Sequence, residues 1–319
     1  DTRPLTPPKI FGFNEIFTML DPCMHRRHRS GAPPANRPRV PLGPHNSGDV
    51  TRATCPTSLL VKSLRFSFAA FLWFFATLAP VAAADPTKVS VAAASNLVHV
   101  LADVVAAFEK STPDATVTTV TGASGSLVAQ IRNGAPFDVF LSADVDYPQA
   151  LVASGHAAAS TLTPFAVGRL VLWTTKTDLV LENLPAVLRS PSVRKIAIAN
   201  TDTAPYGRAA RQSLEKLGLW SEARPKIVIG ENITQTAQFV QTGHADAGLV
   251  ALSLVLAPNL KDRGQWIEIP RDHYASLDQV AVLTRRGESN PAARHFLAFL
   301  RSAPARELFL RYGYAVPTP

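Results

Sequence analysis

From residue 88 onward the chain reads as an α/β protein of two lobes, each a mainly parallel sheet flanked by helices, with a cleft between them. Three observations predict this. Short β-branched runs alternate with helix-periodic segments. The same strand, loop, helix order is written twice, from 85 to about 166 and again from about 168 to 276. Two early apolar strands each end in a small hydroxyl-bearing turn that opens a helix.

The elements follow in order. Val89-Ser90-Val91-Ala92-Ala93-Ala94 is a strand running into Ser95-Asn96, and Leu97, Val100, Leu101, Val104, Val105 and Phe108 then recur at helical spacing before Pro113. Thr116 to Val120 is the second strand; Leu127, Val128 and Ile131 mark its helix, closed by Asn133-Gly134. Phe137 to Leu141 reads as a buried strand, and a helix carrying Leu151 and Val152 ends near Gly155. Phe165 to Trp173 is one long strand pattern, Lys195 to Ala199 a shorter one, and Pro205 fits the first turn of a helix through Leu214 and Leu217. Lys226 to Ile229 is a strand, Asn232 an N-cap for the helix through Phe239 and Val240, and Ala247 to Leu252 and Trp266 to Ile269 complete a second sheet. Gln279 to Thr284 is a last strand, followed by helices around His295 to Leu300 and Ala305 to Leu310. The long runs at 165 to 173 and 279 to 284 are suited to crossing between lobes. Lobe 1 is therefore expected to be 85–166 plus 278–319, and lobe 2 167–277.

Upstream lies a secretory leader. Lys62 and Arg65 precede an apolar run from Phe66 to Leu78, and Ala82-Ala83-Ala84 supplies the small residues of a cleavage site, placed before Asp85. The run is too short to span a bilayer comfortably, so residues 61–84 are expected to be a signal peptide and the mature chain periplasmic. Residues 1–60, rich in Pro and Arg, are expected to be a non-native or disordered upstream extension, with translation starting at Val61. Cys23, His25 and His28 imitate a metal cluster there, without a fourth ligand.

The net charge of +8 suggests nucleic-acid or membrane partners until it is divided. Residues 1–84 hold ten Lys or Arg against four acids, and residues 85–319 hold twenty-two against twenty. The mature chain is nearly neutral, which removes the nucleic-acid reading. Cys23 and Cys55 both lie upstream, so the mature chain has no thiol chemistry.

A helix N-terminus carries unpaired N–H groups and the positive end of a dipole, so two such ends facing one cleft would hold an anion without a charged side chain. Ser95 and Ser124 occupy these junctions. Taken alone each reads first as an N-cap, the commonest role of serine at a helix start. Gly122 to Ser126 has the glycines and hydroxyls of a phosphate loop but not its Lys, the histidines have no metal-ligand spacing, and no serine stands in a recognisable catalytic motif. No catalytic residue, metal-cation site or cofactor is expected.

Ala92-Ala93-Ala94-Ser95-Asn96, Gly122-Ala123-Ser124-Gly125-Ser126-Leu127, the stretch from Asn133 to Asp144 and Arg311-Tyr312-Gly313-Tyr314 together resemble the periplasmic molybdate-binding proteins of ABC importers. The resemblance spans about Lys88 to Pro317 and implies a class II periplasmic binding protein closing around molybdate, with tungstate as a second ligand. Its implied partners are a molybdate permease and its ATPase, met by a monomer in transient docking at the inner membrane. It implies that Ser95 and Ser124 each donate a hydroxyl and an N–H, that Tyr206 and Ile233 donate backbone N–H groups from the second lobe, and that Asn96 adds a side-chain contact. Many members carry a Tyr after the Gly-x-Val strand of lobe 2, where this chain has Ala251; Tyr206 is then expected to supply the phenol from the opposite wall. The competing readings are a receptor for sulfate or another oxyanion, a secreted enzyme acting on anionic esters, and the effector half of a transcription regulator. The leader and the lack of a DNA-binding module weigh against the last.

Overall fold

A computed structural model describes residues 87–316. The leader, the upstream tract, Cys23, His25, His28 and Cys55 lie outside the described residues. The chain runs through β1 (Lys88–Ala94), α1 (Val98–Ser111), β2 (Thr116–Gly122), α2 (Ser124–Arg132), β3 (Val139–Ser142), α3 (Asp146–Ala153) and β4 (Thr163–Val167). It continues through β5 (Leu170–Thr174), α4 (Leu184–Arg189), β6 (Ile196–Ala199), α5 (Pro205–Lys216), α6 (Trp220–Ala223), β7 (Ile227–Gly230), α7 (Ile233–Gln241), β8 (Ala247–Ala251), α8 (Leu252–Val255) and β9 (Gln265–Glu268). It closes with β10 (Asp278–Leu283), α9 (Pro291–Phe299) and α10 (Ala303–Arg311).

The strands form two five-stranded sheets of matching plan, β2-β1-β3-β10-β4 and β7-β6-β8-β5-β9. Both are mixed, with four strands running one way and one reversed. In the first, β2, β1 and β3 run parallel while β10 opposes β3 and β4; in the second, β7, β6 and β8 run parallel while β5 opposes β8 and β9. Residue patterns report which face of a strand is apolar, not its direction. Here the segments that pass between the sheets supply the reversed strands.

The single strand expected over Phe165 to Trp173 is broken by this crossing. β4 ends at Val167 in the first sheet and β5 begins at Leu170 in the second. At the crossing the Gly168 N–H donates to the Leu277 carbonyl at 2.9 Å, and Val167 bridges Ala315. Gly168 is needed there because a Cβ would run into the Tyr206 hydroxyl.

Period-two alternation builds the first lobe on both faces of its sheet. Val89, Val91, Ala93, Val139 and Leu141 pack with α1, α9 and α10 on one side, while Ala92 and Phe140 pack with Leu127, Val128, Ile131 and Leu151 of α2 and α3 on the other. Helix α1 buries Val100, Leu101, Val104 and Phe108, the stripe its spacing predicts. Phe108 meets Phe296 edge-on at 5.1 Å, joining α1 to α9. Asn133 is the C-cap of α2, with Gly134 in the left-handed region at φ 87°. The second lobe is built round β5, β6 and β8, with Trp173 fully buried and its indole N–H donating to the Arg263 carbonyl at 2.9 Å. The short helices α4, α6 and α8 carry too few turns for periodicity to reveal them. Among the described residues no helix is long and apolar enough to cross a membrane.

Candidate functional site

The parallel strands deliver their C-terminal ends to the junction of the two lobes. A small cavity there is lined by Ala94, Ser95, Asn96, Gly122, Ala123, Ser124 and Ala143 after β1, β2 and β3, and by Ala204, Pro205, Tyr206 and Ile233 after β6 and β7. All five residues singled out from the sequence are therefore brought together. The space open to a water-sized probe is about 10 Å³. Pockets for organic ligands run to several hundred Å³, so this cavity is not one that holds a drug-sized molecule. Among the described residues no Lys, Arg, Asp, Glu or His lines it.

Serine as an ordinary helix cap is ruled out by one residue of register. The N-cap preceding Ser95 is Ala94, that of α2 is Ala123 and that of α5 is Ala204, and none makes a side-chain cap bond. Alanine is among the poorest N-caps; replacing a good cap with it costs about 1 kcal/mol. Three helical starts at one cavity thus leave their first N–H groups uncapped by any side chain. Ser95 and Ser124 sit one position further on, inside the first turn, where a hydroxyl is free for other work. The fourth start is different: Asn232 caps α7 by accepting from the Gln235 N–H at 3.1 Å, and Ile233 follows it with its own N–H facing no intrahelical partner.

The side chains divide into donors that remain available and groups already engaged. Ser124 Oγ accepts from the Ala143 N–H at 3.2 Å, which leaves its proton to be given elsewhere. Ser95 is 4 % exposed, and its carbonyl accepts from Thr234 Oγ1 across the lobes at 2.9 Å. Tyr206 is 1 % exposed and its hydroxyl has no partner among the described residues. Burial pushes the Tyr206 phenol well above its ordinary range, with Tyr314 and Tyr274 pushing the same way, so it remains a neutral donor at physiological pH.

Asn96 departs from expectation. Its Nδ2 donates to Gln279 Oε1 at 2.8 Å and to Tyr314 Oη at 2.9 Å. Gln279 is itself oriented by donating Nε2 to the Leu277 and Ala143 carbonyls, at 2.8 Å and 3.4 Å, which fixes its Oε1 toward Asn96. The amide of Asn96 is thereby committed to the hinge, where Tyr314 Oη and Ser253 Oγ also donate to its carbonyl at 3.0 Å and 2.8 Å. The side-chain atom left without a partner is Oδ1, an acceptor, which has nothing to give a deprotonated anion. Asn96 is placed to offer the cavity its backbone, not its amide.

Ala143 was missed from the sequence. It lines the cavity at the end of β3 and holds the Ser124 hydroxyl. A signal existed: each small residue stands where an apolar strand gives way to a helix, in Ala94-Ser95, Ala123-Ser124, Ser142-Ala143 and Ala204-Pro205. Ala251, where the phenol of other members would stand, is fully buried and caps α8 without lining the cavity. Among the described residues no group of three or more His, Cys, Asp or Glu is placed to hold a metal ion. Asp144 and Asp146 both lie within reach of Arg208.

Residues 89–315 match the family model of the bacterial extracellular solute-binding proteins. The chain is 40 % identical over 234 residues to the molybdate-binding protein ModA of Azotobacter vinelandii, covering 73 % of this chain and 92 % of that protein. It is 38 % identical over 227 residues to the molybdate-binding protein ModA of Rhodobacter capsulatus, covering 71 % and 88 %. Among solved structures, the periplasmic molybdate-binding protein of Azotobacter vinelandii superposes with a TM-score of 0.68 at 34 % identity, over 72 % of this chain and all of that one.

Proposed function

Because the chain belongs to the bacterial extracellular solute-binding protein family, we propose that it is the substrate-binding receptor of an ABC importer, taking molybdate, and tungstate with it, from the periplasm. Its partners in this reading are a molybdate permease and its ATPase. The single observation that carries the reading is a cavity of about 10 Å³ where four helical starts converge, three behind alanine N-caps, with no charged side chain in its wall. Uncapped N–H groups at positive dipole ends, two serine hydroxyls and one buried phenol can each give a hydrogen bond, which is what a fully deprotonated tetrahedral oxyanion requires. Ser95 and Ser124 bind from lobe 1 through hydroxyl and N–H, Asn96 through its backbone, and Tyr206 and Ile233 from lobe 2 through N–H, with the Tyr206 hydroxyl as the one phenolic donor. The ligand bridges both lobes and favours the closed form by binding it better than the open one. Lobe 1 comprises residues 85–166 and 278–319, lobe 2 residues 167–277.

The protein is a receptor and not an enzyme. Among the described residues no histidine or carboxylate lines the cavity with Ser95 and Ser124, and the relatives it matches are named as binding proteins. Parallel calorimetric titration with molybdate, tungstate, sulfate and phosphate tests the assignment. Tight binding of molybdate and tungstate with sulfate and phosphate silent is expected. Tight sulfate with weak molybdate would replace the ligand while keeping the site, and silence toward all four would remove the anion reading.

A further inference from the structure

We propose that Arg208 couples lobe closure to anion capture by neutralising Asp144 at the cavity rim when the lobes are shut. Like the proposed function, this coupling rests on the cavity being an anion site. Asp144 directly follows Ala143 of the cavity wall and is 5 % exposed. Within its own lobe the carboxylate accepts from Ser142 Oγ at 3.0 Å and from the Tyr147 N–H at 3.2 Å, both neutral donors. With the lobes together this is a poorly solvated negative charge beside the place where an anion must settle, and burial pushes the carboxyl up, against the pull of the Tyr147 N–H, Arg208 and Ser142.

The compensating cation belongs to the other lobe. Arg208 stands on the first turn of α5, the helix whose start lines the cavity, and its Nη2 pairs with Asp144 Oδ2. Its Nη1 donates to Tyr147 Oη at 3.2 Å, and the guanidinium lies 5.0 Å from the centre of the Tyr147 ring. Tyr147 Oη in turn donates to the Asp202 carbonyl at 3.0 Å, and beside it the Gly125 N–H donates to the Thr203 carbonyl at 2.8 Å. Exposed Asp146, 3.7 Å from Arg208, is the other carboxylate facing this cation. Separating the lobes would part Arg208 from Asp144 and restore the repulsion. Closing them removes it, so closure and anion affinity rise together by linkage.

This charge logic differs from a simple tie between lobes in what a pair of variants would do. Arg208→Gln leaves Asp144 unpaired beside the anion and should weaken molybdate binding by about tenfold or more. Asp144→Asn keeps an acceptor for Ser142 and Tyr147 but carries no charge, and should cost only a few-fold. Adding Asp144→Asn to Arg208→Gln should then restore several-fold of the lost affinity. Arg208→Lys, which keeps the charge but not the fork, should stay closer to wild type than Arg208→Gln. The experiment is calorimetric titration of the mature wild type and these four variants with molybdate, with thermal melts to verify folding. A double variant binding no more tightly than Arg208→Gln would overturn the coupling alone. A wild type silent toward molybdate, tungstate, sulfate and phosphate would remove the anion site and the coupling with it.

Discussion

Tyr206→Phe isolates the one phenolic donor proposed for the site. The phenol oxygen is buried, lies beside Gly168 at the lobe crossing and has no partner among the described residues, so the substitution breaks no hydrogen bond there. Removing a hydrogen bond to a charged group costs about 1.5–3 kcal/mol. With 1.4 kcal/mol per factor of ten, molybdate Kd should rise about 10- to 100-fold. The opposite sign is expected without ligand: a buried, unpaired hydroxyl is itself unfavourable by about 1–3 kcal/mol, so its loss should leave the closed protein no less stable. The assay is calorimetry for Kd and thermal melting with and without molybdate. The Tyr206→Phe variant should melt at or above wild type alone and show a smaller ligand-induced rise. An unchanged Kd would refute the reasoning, placing the phenol outside the ligand's reach.

Ala123→Asp should cap α2 and stabilise the ligand-free fold by up to about 1 kcal/mol, while weakening molybdate binding at least about 100-fold through a carboxylate in the cavity wall; melting and titration together check both signs, and retained affinity would show that α2 does not face the anion. Gly125→Ala would place a Cβ 2.6 Å from Tyr147 Oη and 3.1 Å from Thr203 Cα, so the lobes should fail to close and affinity should fall; small-angle scattering with molybdate should report a larger radius of gyration than wild type. Burial pushes His99 below its ordinary value of 6.5 against the opposing pull of Asp103, so the unfolded chain binds the proton more readily than the folded one. Stability from this group is full above pH 6.5 and declines as pH falls through 6.5 toward the lower folded value; melts across this range should show the slope, and His99→Gln should flatten it.

Much of the fold was legible because long amphipathic helices and buried strands announce themselves locally. Helix α1 buries Val100, Leu101, Val104 and Phe108 of the stripe its spacing picked out, with Val105 half-buried at its edge, and Asn232 caps α7 as its position suggested. Strand direction was not legible, since β5 and β10 carry the same apolar character whichever way they run, and the crossing between β4 and β5 looked like one continuous strand. The short helices α4, α6 and α8 left no periodic trace. At the site, the strand-to-serine junctions stood out, whereas Ala143 did not, because its contribution is a backbone N–H that any residue carries. Where the resemblance pointed to a side-chain contact from Asn96, its amide donates to Gln279 and Tyr314, 183 and 218 residues away.

By itself the sequence determined a two-lobed α/β chain with apolar strands ending in small residues and hydroxyls, since composition and periodicity are local properties that local physics enforces. Only the tertiary structure decided what those hydroxyls are for. Whether Ser95 and Ser124 cap a helix or face a cavity turns on one residue of backbone register, and Ala94 and Ala123 take the capping position. Whether Tyr206 is a spare donor and Asn96 a spent one depends on which groups lie across the hinge. Hydrogen-bond satisfaction is settled by neighbours brought from distant parts of the chain, and no local pattern encodes it.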